Sequence, residues 1–311
     1  VLQTPACCRS MLKAMNLLPL LVRVIVVLIF ASTALSAADV FSGHDGAKLT
    51  QSQVLEAVAD ADIILLGEVH TDAAGHSWQQ SLLANLVAGN DNWLLSLEEF
   101  DRSQQADLDA YAADNINGEE LKAVRNFVGP GVKNNWLEWN LPKLVIARDG
   151  RVPMLASNAP LKYSRMVRNS GCDSLLSLQP AERALVDCPL AVSDPEYQVR
   201  FYRALGRVSR SGQAKGMKPL ASEQMAKMFR AQRVWDATMA ESVVGARRAT
   251  GRRVVHIVGS FHSDYNGGLV QELRARDPDA RILVVSIRPG RATALPAADQ
   301  GRADIMVYSG R

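Results

Sequence analysis

The sequence predicts an α/β fold, with a mainly parallel sheet flanked by helices. Three observations carry the prediction. Short apolar runs alternate with helical patterns along the chain, the order that builds βαβ units. Two of those runs end in the same phrase, Gly67-Glu68-Val69-His70 and Gly259-Ser260-Phe261-His262. The runs before them, such as Ile63-Ile64-Leu65-Leu66, are branched and do not alternate with polar residues, which marks strands covered on both faces. The stretch 160–222 carries two cysteines, a helical pattern near 195–205 and a polar segment at 209–218. It is read as an inserted, mostly helical subdomain.

At 311 residues, 48% hydrophobic and 22% charged, the chain can bury a sizeable core. Its first part stands apart. Arg9 and Lys13 precede an apolar stretch over 17–35, and Ser36-Ala37-Ala38 place small residues before Asp39. A basic start, an apolar middle and a small-residue end describe a secretory signal peptide, residues 1–38, ahead of a mature chain at 39–311. The stretch is also long enough to span a bilayer, so an uncleaved membrane anchor is the alternative. Met11 or Met15 can serve as the start. Residues 1–38 hold Arg9, Lys13 and Arg23 and no acid, which leaves 32 basic against 32 acidic residues. A neutral remainder gives no electrostatic case for nucleic acid. Cys7 and Cys8 lie before the apolar run; Cys172 and Cys188 remain, a pair expected to be bridged in an oxidising compartment.

The elements follow in order. Val54, Leu55 and Val58 give a helix over 49–59 that leads into a first strand at 62–66. Thr71 or Asp72 caps the next helix. Its apolar face is Trp78, Leu82, Leu83 and Leu86, and it ends at Gly89-Asn90. A second strand at 93–97 runs into Glu98-Glu99-Phe100-Asp101. Residues 103–148 read as helical, broken near Gly129-Pro130-Gly131 and at Pro142. A third strand, 152–156, ends in Ser157-Asn158. Met225, Met228, Phe229, Gln232, Trp235, Met239 and Val243 give a long helix over 222–249, its methionine stripe read as core filler. A fourth strand at 253–258, a helix opened by Gly267-Gly268, a fifth strand at 282–287 and a sixth, edge strand at 304–308 complete the chain.

In a parallel sheet the residues after each strand gather at one edge, where open α/β sheets bind ligands. Those residues are Glu68 and His70, Glu98 and Glu99, Ser157 and Asn158, and Ser260 and His262. Carboxylates beside imidazoles can hold a divalent metal or act as acid and base near neutral pH. The metal candidates are His70, His262 and Glu68. Asp236, on the long helix beside Gln232, either orients a cleft histidine or forms an internal ion pair. His-Glu-x-x-His, a Gly-rich phosphate loop and Gly-x-Ser-x-Gly are all absent from the sequence.

Taken together, several segments resemble the ChaN-like haem-binding uptake family, within the Tiki/TraB/erythromycin-esterase superfamily. They are Gly67-Glu68-Val69-His70 with His76 and Gln79-Gln80; Glu98-Glu99-Phe100-Asp101-Arg102 with Gln104-Gln105; Trp136 followed by Ala147-Arg148; Ala156-Ser157-Asn158; Gln232-Trp235-Asp236-Met239-Ala240; and Gly259-Ser260-Phe261-His262 with Gly267-Gly268. The resemblance implies an exported, periplasmic protein of haem or iron acquisition, with haem-uptake components of the periplasm or outer membrane as partners. It implies haem as cofactor, and a homodimer that encloses two stacked haems with a tyrosine on iron, assisted by a histidine. The haem-contacting set it points to is His70, His76, His262 and a tyrosine among Tyr111, Tyr163, Tyr197, Tyr202, Tyr265 and Tyr308, of which Tyr265 is favoured because it follows the second Gly-x-x-His loop. Two departures stand out: Trp139-Asn140-Leu141-Pro142 occupies the place where relatives often carry a tyrosine before the proline, and the lipid-accepting cysteine of many members is missing. Other branches of the superfamily are hydrolases. The alternative function is therefore a metal-dependent hydrolase, protease-like or esterase-like, using Glu68, His70, Glu98 and His262.

Overall fold

The structure, a computed structural model, describes residues 35, 37–88, 92–125, 135–213 and 221–310, with 208–213 described by backbone alone. The expected signal peptide (but for residues 35, 37 and 38), the Gly89-Asn90 helix end, the Gly129-Pro130-Gly131 break and positions 214–218 lie outside the described residues.

The chain enters with strand β1 (Asp39–Ser42) and helix α1 (Gln51–Asp60), whose N-terminus is closed by a capping box between Thr50 and Gln53. Strand β2 (Ile63–Glu68) leads to α2 (Ala73–Val87), and β3 (Trp93–Asp101) to α3 (Gln105–Ala112), α4 (Gly118–Val124), α5 (Trp136–Trp139) and α6 (Leu141–Asp149). Pro142 sits in the first turn of α6, where its missing N–H has no partner to lose. After β4 (Met154–Asn158) come α7 (Leu161–Ser170), α8 (Pro180–Arg183), α9 (Pro195–Gln213) and the long α10 (Ser222–Thr250). Strand β5 (Arg253–Gly259), α11 (Gly268–Arg276), β6 (Ile282–Arg288) and β7 (Ile305–Tyr308) close the fold.

The seven strands form one sheet in the order β1-β7-β6-β2-β5-β3-β4. All neighbours are parallel except β1, which runs antiparallel to β7. The expected edge strand at 304–308 is therefore covered. Four residues are too few to show alternation, so β1 was not legible in the sequence. The helical pattern read near 195–205 extends to Gln213, so the first part of the expected polar loop is helix.

Strand β2 is buried along its whole length, and its side chains divide between two cores. Ile64 and Leu66 join the layer packed by Trp78, Leu82 and Leu83 of α2. Ile63 and Leu65 face Met239 and Val243 of α10 and Leu269 and Leu273 of α11. The chain thus leaves β2 toward one face of the sheet and β5 toward the other. Because β2 and β5 are adjacent, the crevice between their carboxyl ends is a topological switch point.

The helices between β4 and α10 pack on α10 through two small apolar clusters. One gathers Tyr163, Val167, Leu175 and Val186 on Val234; the other gathers Tyr197 and Phe201 on Phe229. Cys172 and Cys188 are joined across a separation of 16 residues, which ties the first cluster together. Reducing that bond is expected to lower stability by roughly 3 kcal/mol in the chain-entropy description. Urea denaturation with and without reductant measures it, and mass spectrometry of the non-reduced protein checks the bond.

Candidate functional site

The two Gly-x-x-His loops leave the sheet side by side, since Gly67 pairs with Val258 and Glu68 with Gly259. A pair of strands 192 positions apart in sequence is brought into register by the parallel arrangement. Glycine is required at Gly67 for this approach. A Cβ there would lie 2.8 Å from Ser263 Oγ and 3.1 Å from the Ser260 backbone.

His70 stands at the mouth of the crevice, its side chain 27% exposed. Its Nδ1 donates to Glu68 Oε1 at 2.9 Å. The other ring nitrogen lies over Gly259, where a Cβ would come within 3.1 Å of Nε2. Burial opposes a charged imidazole here, but the Glu68 hydrogen bond and the Glu98 charge outweigh it, and His70 is pushed up to about 8. Glu68 is buried, a condition that favours the neutral acid. The Lys143 charge and the His70 hydrogen bond overcome it and hold the carboxyl well below the usual range.

Behind this pair lies a buried lysine. Lys143 Nζ, on α6, is 3.5 Å from Glu68 Oε2, 3.2 Å from His76 Nδ1 and 3.0 Å from Gln79 Oε1. An ammonium only donates, so His76 accepts at Nδ1, and its Nε2–H donates to the His70 carbonyl at 3.2 Å. Burial and the Lys143 charge both lower the His76 pKa, which keeps the ring neutral. The ring stacks on Trp139 with centroids 5.4 Å apart.

The second histidine is enclosed. His262 Nδ1 donates to Asp236 Oδ1 at 2.6 Å, and its Nε2 faces Glu98 Oε1 at 3.3 Å. Burial opposes its charge, and Glu98 and Asp236 reverse that, pushing His262 up to about 10. Burial likewise works against charge on Glu98, but His262 holds it down to about 2. The other Glu98 oxygen accepts the Gly259 N–H at 2.5 Å. Tyr197 of α9 donates to Asp236 Oδ2 at 2.9 Å, and Gln232 donates to the Tyr197 oxygen at 3.0 Å.

Part of this network, Glu68, His70, Gln232 and His262, borders a cavity of about 540 Å³, within the range of small-molecule and cofactor sites. Glu68, His70, Gln232, Ser260 and His262 are its polar lining; Phe201, Ala204, Leu205 and Phe261 are its apolar wall.

The structure brings Glu68, His70, Glu98 and His262 together and gives Asp236 the role of orienting His262. Glu99 points the other way, as strand alternation requires; its carboxylate meets Arg125 at 3.0 Å and Trp136 Nε1 at 2.5 Å. Asn158 and Ser157 hold β3 and β4 together by donating to the Glu98 and Leu97 carbonyls. His76 lies behind the cavity, fully engaged. Tyr265 is not brought to the cavity lining: its hydroxyl donates to the Ala298 carbonyl, and its ring sits between Arg200 and Arg302. The set His70, His262 and Glu68 does not converge on a metal position. Both His262 nitrogens face carboxylates, Glu68 is spent on His70 and Lys143, and no cluster of three such ligands occurs among the described residues. Sequence reading missed Lys143 and the α9 wall. A lysine on the same buried helix face as Leu144 and Ala147 was the available signal for the first.

Fold and site together define an α/β protein whose switch-point cavity is bordered by two histidines, each tied to carboxylate. The chain belongs to the family described as haem-binding uptake, Tiki superfamily, ChaN, which matches residues 54–273. A solved structure described as cofacial heme binding to ChaN of Campylobacter jejuni superposes with a TM-score of 0.62 at 17% identity, covering 87% of this chain and 96% of that one. The two share the fold. A curated Arabidopsis thaliana protein, Protein RETICULATA-RELATED 5, chloroplastic, is 27% identical over 278 residues, 83% of this chain. The chain spans 35% of that relative's length.

Proposed function

We propose that this chain is an exported haem-binding protein of haem or iron acquisition, and that haem occupies the cavity at the ends of β2 and β5. The observation that carries this is His70. Its Nδ1 is anchored on Glu68 while Nε2 lies over Gly259 in a cavity with an apolar wall. A histidine whose other nitrogen donates to a carboxylate is the usual arrangement of a metal-ligating imidazole. His70 would hold the iron, and Phe201, Leu205 and Phe261 would face the macrocycle. Bound haem would supply an iron centre whose reactivity its axial ligand sets. Export is supported by the composition of residues 1–38 and by the disulfide. The partners that go with this reading are a second copy of the chain across the haem, and periplasmic or outer-membrane uptake components.

The hydrolase reading draws on the same four residues. The charged His262, with a carboxylate at each nitrogen, has no free position to take a proton, so His70 alone would be left as acid or base. In the haem reading His70 would release its Nε2 proton on holding the iron, and His262 would keep its two carboxylate partners.

Titrating the purified protein with haemin is expected to give a saturable Soret change. His70→Ala should weaken binding about tenfold or more. No saturable change in the parent protein would reject the haem reading. Ester or peptide hydrolysis that His70→Ala abolishes would favour the alternative.

A further inference from the structure

Lys143 is completely buried, and three side chains surround its ammonium. A buried charge is costly unless it is paired and hydrogen-bonded, and one carboxylate would be enough to pair it. Here its contacts reach further. Through Glu68, Lys143 connects to the His70 ring, because the carboxylate that meets Nζ with Oε2 accepts Nδ1–H with Oε1. Through His76, it connects to the His70 main chain, because donation into Nδ1 leaves the proton on Nε2, which bonds the His70 carbonyl. Two routes from one ammonium end on a single residue, at the ring and at the backbone that carries it. No covalent or sequence constraint requires this, since Lys143 and His70 lie on elements separated by β3 and four helices.

We infer that Lys143 is a positioning residue for His70, fixing its imidazole through Glu68 and its backbone through the His76 tautomer so that Nε2 is presented to the cavity. The arrangement also explains His76 and Gln79 without giving either a ligand contact. His76 is held by Lys143, the His70 carbonyl and the Trp139 ring, and Gln79 completes the ammonium's coordination. Its consequence for ligand binding rests on the haem reading; its geometry does not.

The test therefore has a ligand-free arm and a haemin arm, with parent, Lys143→Met and His76→Phe proteins. Methionine keeps the length of the side chain without its charge. Phenylalanine removes the His70 carbonyl bond while leaving the Lys143–Glu68 pair and the stacking on Trp139. If Lys143→Met does not fold, His76→Phe still interrupts one route. In the ligand-free arm, long-range ¹H–¹⁵N spectra at neutral pH should show His76 as a neutral ring protonated at Nε2 in the parent. In Lys143→Met that tautomer should give way to a mixture, and the His70 ring resonances should shift in both variants. His76 unchanged in Lys143→Met, or His70 unchanged in both variants, overturns the inference. In the haemin arm, the variants should bind about 10–100-fold more weakly than the parent, the usual loss on removing a support of a metal-bound histidine, with a displaced Soret maximum. Affinity and spectrum unchanged while His70→Ala abolishes binding would overturn the role of Lys143 and leave the haem reading standing. A parent that does not bind haemin fails the haem reading alone, and the ligand-free arm then decides for Lys143.

Discussion

Replacing Asp236 by alanine is expected to destabilise the protein by about 3–5 kcal/mol, the largest single-residue effect in the site. Asp236 is fully buried, and His262 Nδ1 lies 2.6 Å from one of its oxygens. An intact buried ion pair adds little net stability, because desolvation cancels most of the attraction; removing one partner leaves the other buried and uncompensated. In Asp236→Ala the imidazolium keeps only Glu98, at 3.3 Å, and the Tyr197 hydroxyl loses its acceptor. Asp236→Asn retains the shape and separates the charge from the packing. Urea denaturation at pH 7 measures both. A loss below about 1 kcal/mol for the alanine variant would mean that His262 is not held charged by Asp236.

Acidification is expected to remove stability in two stages. His256 is buried within β5, with Nδ1 on Ser96 Oγ at 2.9 Å and Nε2 without a partner among the described residues. Burial lowers its pKa from 6.5 to about 4. Between those values the unfolded chain binds the proton and the folded chain does not, so stability falls as pH falls. The difference amounts to about 3 kcal/mol, complete below pH 4. Glu98 follows. Burial alone would raise it, but His262 holds it at about 2 against an ordinary 4.5, so the ionised form stabilises the fold above that window and is lost through it. That stage is worth a further ~3 kcal/mol. On the alkaline side the sign reverses, since His262 is raised from 6.5 to about 10 and its contribution is full below 6.5 and lost as pH climbs toward 10. Denaturation midpoints from about pH 2 to about pH 10 chart the profile. His256→Leu should flatten the stage between pH 6.5 and 4 and leave the lower one; a variant that keeps the upper slope would assign it to another group.

Much of this architecture was legible in the chain as written. Buried parallel strands are apolar on both faces, so β2 announced itself as an unbroken branched run and β3, β5 and β6 as apolar runs interrupted once, by Ser96, His256 and Ser286, and the repeated Gly-x-x-His marked two strand ends as equivalent. Helix periodicity located α2 and α10 for the same reason: one face of each must meet the sheet. From these, a parallel sheet with Glu68, His70, Glu98 and His262 at one edge followed from local pattern alone.

What local pattern does not hold is who meets whom across the fold. Only the order β2-β5-β3 sets Glu98 beside His262, and only the crossing of α6 behind α2 brings Lys143 to Glu68 and His76. Tyr265 follows the second loop closely in sequence, yet its backbone takes a left-handed turn, φ +54°, and its hydroxyl is spent on Ala298. The cavity wall from α9 came from the stretch that read least clearly, because a helix that closes over a site packs on side chains far away in sequence. Composition and periodicity decided that a histidine-bearing loop would stand at the end of β2. Tertiary contacts decided which His70 nitrogen is tied to Glu68, and that a buried lysine stands behind it, because hydrogen-bond partners are chosen by proximity in space and not by spacing along the chain.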